Sequence, residues 1–168
     1  MFKIGFGYDV HRLIRDRPLI LGGVHIPHTL GLEGHSDADV LTHAVMDAVL
    51  GAMGRGDIGQ HFPDTDPRYK GISSLSMLET VSRVMTREGF KINNLDATLV
   101  AEAPKLAGHL TDMEGHLAHT LKAPVDSINI KATTAEGLGF CGRGEGIAAF
   151  AVVSLCGHEQ AKVRSGIT

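Results

Sequence analysis

The segment GFGYDVH, residues 5–11, lies within a loosely alternating stretch, Phe2 to Val10, that predicts a β-strand. Side chains two positions apart on a strand point to the same face, so Asp9 and His11 are expected to project together. An aspartate oxygen and an imidazole nitrogen on one stiff backbone would supply two of the three protein ligands of a typical open zinc site. The alternative is an Asp-x-His pair at a strand end that binds no metal.

A helix is predicted for SDADVLTHAVMDAVLGAM, residues 36–53, because its apolar residues recur at helical spacing. Ser36 followed three residues later by Asp39 resembles a capping box with the shorter acid. Asp39, His43 and Asp47 are spaced by four residues and are expected to share one helix face. His43 is therefore the candidate third ligand, and an ordinary solvated helix face is the alternative.

Asp9, His11 and His43 together would offer two nitrogens and one oxygen. This set suits Zn²⁺ and leaves a fourth position open. Lewis-acid catalysis needs an open position, whereas a structural site would be closed. The prediction requires that the first strand and the first helix meet.

The rest of the chain predicts strands and helices in an order that fits one α+β domain. The prediction places a hairpin at residues 18–27, a loop at 57–71, helices near 73–88 and 106–121, strands near 95–101, 127–133 and 147–155, and a glycine-rich loop at 137–146. We expect residues 1–157 to form a single catalytic domain with a mixed β-sheet and helices packed on one face. Residues 158–168 are expected to form a C-terminal tail.

Composition and charge exclude several classes of function. The chain has 168 residues, of which 43% are hydrophobic, enough for one domain with a core. A net charge of -3 and the lack of a basic run argue against nucleic-acid binding. No apolar run approaches the roughly 20 residues of a membrane helix. The N-terminus does not resemble a signal peptide, and the two cysteines form no disulfide framework, so a cytoplasmic location is expected.

Two junctions that follow predicted strands are candidates for binding phosphate. KATT, residues 131–134, offers hydroxyl and backbone N–H donors. Glu136 beside a phosphate would require a divalent cation between them, and Mg²⁺ typically uses one carboxylate plus substrate phosphates. AEAPK, residues 101–105, could hold a base or a phosphate through its backbone. An ordinary chain connection is the alternative for both junctions.

Six blocks of the chain, in order and spacing, resemble the 2-C-methyl-D-erythritol 2,4-cyclodiphosphate synthase family of the non-mevalonate isoprenoid pathway. They are GYDVHR, LGGVHIP, GHSDADVLTHAVMDAVLGA, GDIGQHFPDTDP, AEAPKL and INIKATTAEGLGFCGRGEGIAA. The resemblance extends to about Leu155. Several long blocks in the same order are far more specific than any single motif.

The resemblance implies a phosphorus–oxygen lyase that acts on 4-diphosphocytidyl-2-C-methyl-D-erythritol 2-phosphate. The 2-phosphate of this substrate would attack its own β-phosphate, giving 2-C-methyl-D-erythritol 2,4-cyclodiphosphate and CMP. The resemblance also implies one Zn²⁺ per active site, a second ion that is Mg²⁺ or Mn²⁺, and a homotrimer with active sites between subunits. In some members an isoprenoid diphosphate occupies the central cavity of the trimer.

The resemblance assigns roles to residues of this sequence. The metal ligands match Asp9, His11, His43 and Glu136, and the pair that stabilises the transition state matches His35 and Thr134. The substrate-binding positions match Ser36, Asp57, Ile58, Gly59, Phe62, Pro63, Asp64, Thr65, Asp66, Ala101, Glu102, Ala103, Pro104, Lys105, Leu106, Ala132 and Thr133, and the positions at the far side of the channel match Phe140 and Arg143. Glu102 and Cys141 are not positions associated with the family motif, and the resemblance leaves their roles open.

Two other functions fit parts of the pattern. Three metal ligands and an open position would also serve a zinc-dependent phosphohydrolase, which would release a linear product. A non-catalytic trimer that binds isoprenoid diphosphates would use Arg143 for its ligand. It would leave the set of Asp9, His11 and His43 unexplained.

Overall fold

The computed structural model describes residues 1–157, so the expected tail at residues 158–168 lies outside the described part of the chain. The strands are β1 (Phe2–Ile14), β2 (Leu19–Leu21), β3 (Val24–Ile26), β4 (Gly31–Leu32), β5 (Phe90–Val100), β6 (Ile128–Thr133) and β7 (Gly146–Gly157). The α-helices are α1 (Val40–Met53), α2 (Ile58–His61), α3 (Ser74–Arg87), α4 (Leu110–Leu121) and α5 (Gly139–Gly142). No α-helix within residues 1–157 is long and apolar enough to cross a membrane.

Five strands form one mixed sheet in the order β4-β1-β7-β5-β6. Strand β7 lies between β1 and β5 and is antiparallel to both, whereas β5 and β6 are parallel. The predicted hairpin forms a separate two-stranded sheet from β2 and β3. The predicted α+β class and the mixed sheet are confirmed.

Helix α1 lies against β1 and β7 on one face of the sheet, and α3 packs over it. Almost every position of α1 is therefore buried, including polar ones. Helix α4 contacts α3 and β6 on the same side. The opposite face of the sheet carries exposed apolar side chains from alternate positions of β1 and β7. This apolar sheet face consists of Phe2, Ile4, Phe6, Tyr8, Val10, Phe150 and Val152.

Two glycines of β1 let the strand and the helix approach at backbone distance. A Cβ atom on Gly5 would lie 1.9 Å from the carbonyl oxygen of Ala48, and one on Gly7 would lie 1.9 Å from that of Ala44. No other residue type fits without moving the helix. Asp9 lies two positions after Gly7 on the same strand face, so this contact places Asp9 beside the first turns of α1.

The start of α1 differs from the prediction, and the proposed capping box at Ser36 is wrong. Asp39 itself is the N-cap, and its Oδ1 accepts a hydrogen bond from the backbone N–H of Thr42 at 3.0 Å. The same carboxylate accepts from the backbone N–H groups of Gly22 at 2.9 Å and Gly23 at 2.7 Å. Asp39 is thereby fully buried between the hairpin turn and the helix, which ties the two together.

Several strand and loop boundaries also differ from the prediction. Strand β1 extends beyond Val10 because it pairs with β7 as far as Arg12 and with β4 at Leu13 and Ile14. Strand β5 begins at Phe90 because it pairs with the end of β7, and periodicity does not reveal such backbone pairing. The predicted loops at residues 57–71 and 137–146 each contain a one-turn helix, α2 and α5 respectively.

Replacing Gly7 by alanine should lower the free energy of unfolding, because the added Cβ would overlap the Ala44 carbonyl oxygen, 1.9 Å away. Overpacking of this kind typically costs about 1–3 kcal/mol, and more when backbone must move. Gly115→Ala in α4 is the matched control, since its Cβ would meet nothing within 4 Å. Alanine is favoured over glycine inside a helix by about 1 kcal/mol, so this control should be stabilised.

Urea unfolding of both variants at equal protein concentration gives the comparison. A midpoint for Gly7→Ala at or above that of the parent chain would show that β1 and α1 are not in backbone contact.

Candidate metal centre and neighbouring cavities

Strand β1 and helix α1 bring Asp9, His11 and His43 together. Asp9 Oδ2 lies 2.9 Å from His11 Nε2 and 3.0 Å from His43 Nδ1. The two imidazole nitrogens lie 3.2 Å apart. His43 is only 6% exposed, so the alternative of a solvated helix face is wrong. The predicted convergence of the three side chains is confirmed.

The backbone carbonyl of Glu33 orients the His11 ring. It lies 2.6 Å from His11 Nδ1, and a carbonyl can only accept, so Nδ1 carries the hydrogen. In the neutral ring, His11 Nε2 then presents a lone pair toward Asp9 and His43. No sequence pattern indicates this contact, because a main-chain oxygen has no residue signature.

The electrostatics of the cluster favour a cation. Burial alone would raise the pKa of Asp9, but its hydrogen bonds with His11 and His43 outweigh that effect and hold the pKa well below the usual range. Burial alone would lower the pKa of His11, but the hydrogen bond and the charge of Asp9 raise it above the ordinary value. An ionised carboxylate faces two imidazole nitrogens here, an arrangement that positive charge stabilises.

The geometry fits a metal ion. One donor atom from each of the three residues lies within 4.8 Å of the others. Two nitrogens and a carboxylate oxygen suit zinc with a fourth position open, as the sequence predicted. The three donors come from a rigid strand and a buried helix, so the ligand set is preorganised.

A cavity of about 490 Å³, here called the metal-site cavity, opens beside the three donors. Predicted site residues that line it are His35, Ser36, Ile58, Gly59, Phe62, Pro63 and Asp64. Tyr69 and Met77 line it as well, and sequence reasoning missed both because they belong to a loop and a helix with ordinary core spacing.

Three predicted residues of the same region, Asp57, Thr65 and Asp66, are not among the side chains that line the metal-site cavity. Asp57 caps α2, accepting from the backbone N–H of Gln60 at 3.0 Å. Asp66 caps the short turn that follows, and its carboxylate forms an exposed ion pair with Arg68 at 2.6 Å. These two acids shape the loop that borders the cavity.

A second cavity of about 260 Å³, here called the strand-end cavity, lies at the carboxyl ends of β5 and β6. Predicted residues that line it are Ala101, Glu102, Pro104, Lys105, Leu106, Ala132, Thr133 and Thr134, whereas Ala103 is not among them. The two cavities share no lining residue. Within one chain, His35 and Thr134 therefore line different cavities.

The segment after β6 is ordered by two carboxylates. The Thr134 hydroxyl donates to Glu136 Oε1 at 2.6 Å, and Glu136 is exposed with a left-handed backbone at φ 52°. Glu102 Oε1 accepts from the backbone N–H groups of Ala135 at 2.8 Å and Gly137 at 3.2 Å. Glu102, whose role the sequence left open, thus joins the loop after β5 to the loop after β6.

Phe140 and Arg143 lie in the glycine-rich segment, and Phe140 lies beside the apolar sheet face. Phe140 lines a cavity of about 230 Å³ together with Tyr8 and Phe150. Arg143 Nε forms an exposed ion pair with Glu145 Oε1 at 2.7 Å. Cys141 is buried, and burial raises the pKa of its thiol, which makes it a poor nucleophile.

Comparison with known proteins defines the class of this fold and site. Residues 2–156 match the model of the YgbB family, and the chain belongs to that family. A curated relative from Geobacter sulfurreducens, named 2-C-methyl-D-erythritol 2,4-cyclodiphosphate synthase, is 63% identical over 153 residues. The match covers 91% of this chain and 98% of the relative. The family resemblance seen in the sequence is confirmed.

Solved structures show the same fold. A 2C-methyl-D-erythritol-2,4-cyclodiphosphate synthase in a CDP-bound form is 40% identical, with a TM-score of 0.84 over 92% of this chain and 100% of that one. Plasmodium falciparum IspF in a CDP complex is 30% identical, with a TM-score of 0.81 over 93% of this chain and 96% of that one.

Replacing His43 by alanine should abolish tight zinc binding while the sheet and helices persist. Removing a direct ligand should cost more than the roughly 10–100-fold loss in affinity that follows removal of an outer partner. His119→Ala, on the exposed side of α4, is the matched control and should bind zinc like the parent chain.

Competition of the metal-stripped proteins with a chromophoric chelator measures the affinity, and circular dichroism checks the fold. Equal zinc affinity in folded His43→Ala and His119→Ala would show that His43 is not a ligand.

Proposed function

We propose that this chain converts 4-diphosphocytidyl-2-C-methyl-D-erythritol 2-phosphate to 2-C-methyl-D-erythritol 2,4-cyclodiphosphate and CMP, in isoprenoid precursor biosynthesis. Membership of the family and high identity to curated synthases support this activity. The observation that supports it most within the molecule is the convergence of Asp9, His11 and His43 at a cavity lined by predicted substrate-binding residues.

The reaction needs no nucleophile from the protein. An oxygen of the substrate's 2-phosphate attacks the β-phosphorus, and the bond from that phosphorus to the bridging oxygen breaks. CMP leaves with the electron pair of that bond, and the cyclic diphosphate closes. The buried thiol of Cys141 and its raised pKa agree with a mechanism that uses no cysteine.

Asp9, His11 and His43 would hold Zn²⁺, and Glu136 would hold Mg²⁺ or Mn²⁺. When bound, these ions neutralise phosphate oxygens that would otherwise repel one another. The protein also accelerates the reaction by positioning the substrate. Holding both ends of one substrate aligns the intramolecular attack, which lowers the activation barrier by about 7–11 kcal/mol in favourable cases. His35 and Thr134 would donate hydrogen bonds to oxygens that gain charge in the transition state.

In this proposal, each of the two cavities binds a different part of the substrate. The metal-site cavity, with α2 and the loop to residue 66, would receive the methylerythritol portion and the phosphates. The strand-end cavity would receive the cytidine, with main-chain groups of residues 101–106 against the base and residues 132–134 toward the diphosphate. CDP complexes of the related structures are consistent with a nucleotide-binding role in the family.

The proposed enzyme is a cytoplasmic homotrimer with each active site between neighbouring subunits. The apolar sheet face supports assembly, since Ile4 is 75% and Phe6 61% exposed in a single chain. The separation of His35 and Thr134 into different cavities supports a site completed by a second subunit. Phe140, which lies beside that face, and Arg143 would contact an isoprenoid diphosphate in the central cavity.

Incubating the purified chain with the named substrate should release CMP and give one cyclic product, identified by ³¹P NMR. Removing divalent metals with a chelator should stop the reaction, and returning zinc with magnesium should restore it. A linear phosphate product would instead identify a phosphohydrolase. Substrate binding without turnover in the presence of both metals would identify a non-catalytic binding protein.

Phe6→Glu should shift the protein from trimer to monomer, because three charged side chains would be buried at the proposed interface without partners. Val125→Glu introduces the same charge at an apolar residue that is 54% exposed but lies outside the apolar sheet face. It should leave the trimer intact. Light scattering during size-exclusion chromatography measures both masses, and a trimeric Phe6→Glu would place the interface elsewhere.

A further inference from the structure

His43 has a second polar contact, on the side of its ring away from the metal donors. Its Nε2 lies 2.9 Å from the hydroxyl oxygen of Ser74, the first residue of α3. Ser74 is fully buried. A buried hydroxyl beside the free nitrogen of a metal-binding histidine is the position from which outer partners orient such a ring.

Asp37 decides the direction of that hydrogen bond. Its carboxylate accepts from the backbone N–H of Ser74 at 2.9 Å and also from the Ser74 hydroxyl. A carboxylate can only accept, so the hydroxyl hydrogen of Ser74 points to Asp37. The Ser74 oxygen is then available to His43 only as an acceptor, so Nε2 carries a hydrogen. In the neutral ring, which is the form that binds a metal, Nδ1 consequently presents its lone pair toward Asp9 and His11.

We propose that Ser74, held by Asp37, is a positioning residue that fixes His43 in the tautomer whose Nδ1 binds the metal. The inference rests on the proposed metal function of Asp9, His11 and His43. An acceptor behind each ring then fixes its tautomer. A carbonyl keeps the hydrogen of His11 on Nδ1, and a carboxylate acting through Ser74 keeps the hydrogen of His43 on Nε2.

The contact also joins α3 to the metal centre. The backbone N–H of Asp37 donates to the Ile72 carbonyl at 3.1 Å, and the Asp37 carboxylate accepts from the backbone N–H of Ser74. Two hydrogen bonds therefore join the segment before α1 to the start of α3. Rotation of the His43 ring would break the Ser74 contact, and the ring therefore has one supported orientation.

Ser36 provides a partial substitute for Ser74. Its hydroxyl oxygen lies 3.3 Å from His43 Nε2, farther than that of Ser74, and it already accepts from the backbone N–H of Ala38 at 3.1 Å. Loss of the Ser74 hydroxyl should consequently weaken zinc binding by about tenfold, at the lower end of the 10–100-fold range for outer partners.

Two variants test the proposal. Ser74→Ala removes the acceptor. Asp37→Asn keeps the size of the side chain but offers an amide group that can donate to Ser74, which frees the hydroxyl hydrogen to point at His43 and favours the wrong tautomer. Both should lower zinc affinity about tenfold or more in chelator competition, measured on the metal-stripped full-length protein with zinc alone.

Ser82→Ala is the matched control, because Ser82 lies on the same helix, is 1% exposed, and its hydroxyl has no hydrogen-bond partner within residues 1–157. It should bind zinc like the parent chain. Thermal unfolding of the metal-free variants separates loss of the fold from loss of affinity.

Unchanged zinc affinity in both folded Ser74→Ala and Asp37→Asn would overturn the positioning role and leave the metal site itself intact. An equal loss in Ser82→Ala would also overturn it, since packing of α3 would then explain the effect. Failure of the parent chain to bind zinc would overturn the metal site, and the inference with it.

Discussion

The backbone contact between β1 and α1 is the constraint on which the rest of the molecule depends. Gly5 and Gly7 lack the Cβ atoms that would hold the helix away, and the strand therefore runs directly beneath it. Asp9 and His11 follow on the same face, and His43 meets them from the first turns of the helix. A wider separation of strand and helix would leave His43 apart from Asp9 and His11. With this contact, they become one preorganised ligand set.

Groups that can only accept hydrogen bonds lie behind the ring of each histidine, and they determine what the three side chains can bind. The carbonyl of Glu33 fixes the hydrogen of His11 on the far nitrogen, and in our proposal Asp37 does the same for His43 through Ser74. When both rings are neutral, three atoms with lone pairs converge on one point, where they stabilise a cation. The strand-end cavity lies apart from this point, which agrees with a proposed active site shared between two subunits.

Much of this arrangement could be predicted from the sequence because local spacing encodes it. The i, i+2 pair on a strand and His43 on a strongly periodic helix predicted both the elements and the ligand set. The N-cap of α1 was misplaced because Ser36 and Asp39 both have capping side chains. Only the tertiary contact with Gly22 and Gly23 selects Asp39.

Other contacts of the site have no local signature. Glu33 acts through its main chain, and Asp37 meets Ser74 across 37 positions of sequence. The Glu102 carboxylate joins the loops after β5 and β6, which are far apart in sequence, so no local pattern indicates its role. The most direct test of the central claim is anomalous diffraction at the zinc edge from crystals of the protein grown with zinc. We expect an anomalous peak within bonding distance of Asp9, His11 and His43, with one coordination position not taken by the protein. A zinc ion bound elsewhere, with these three side chains unoccupied, would contradict it.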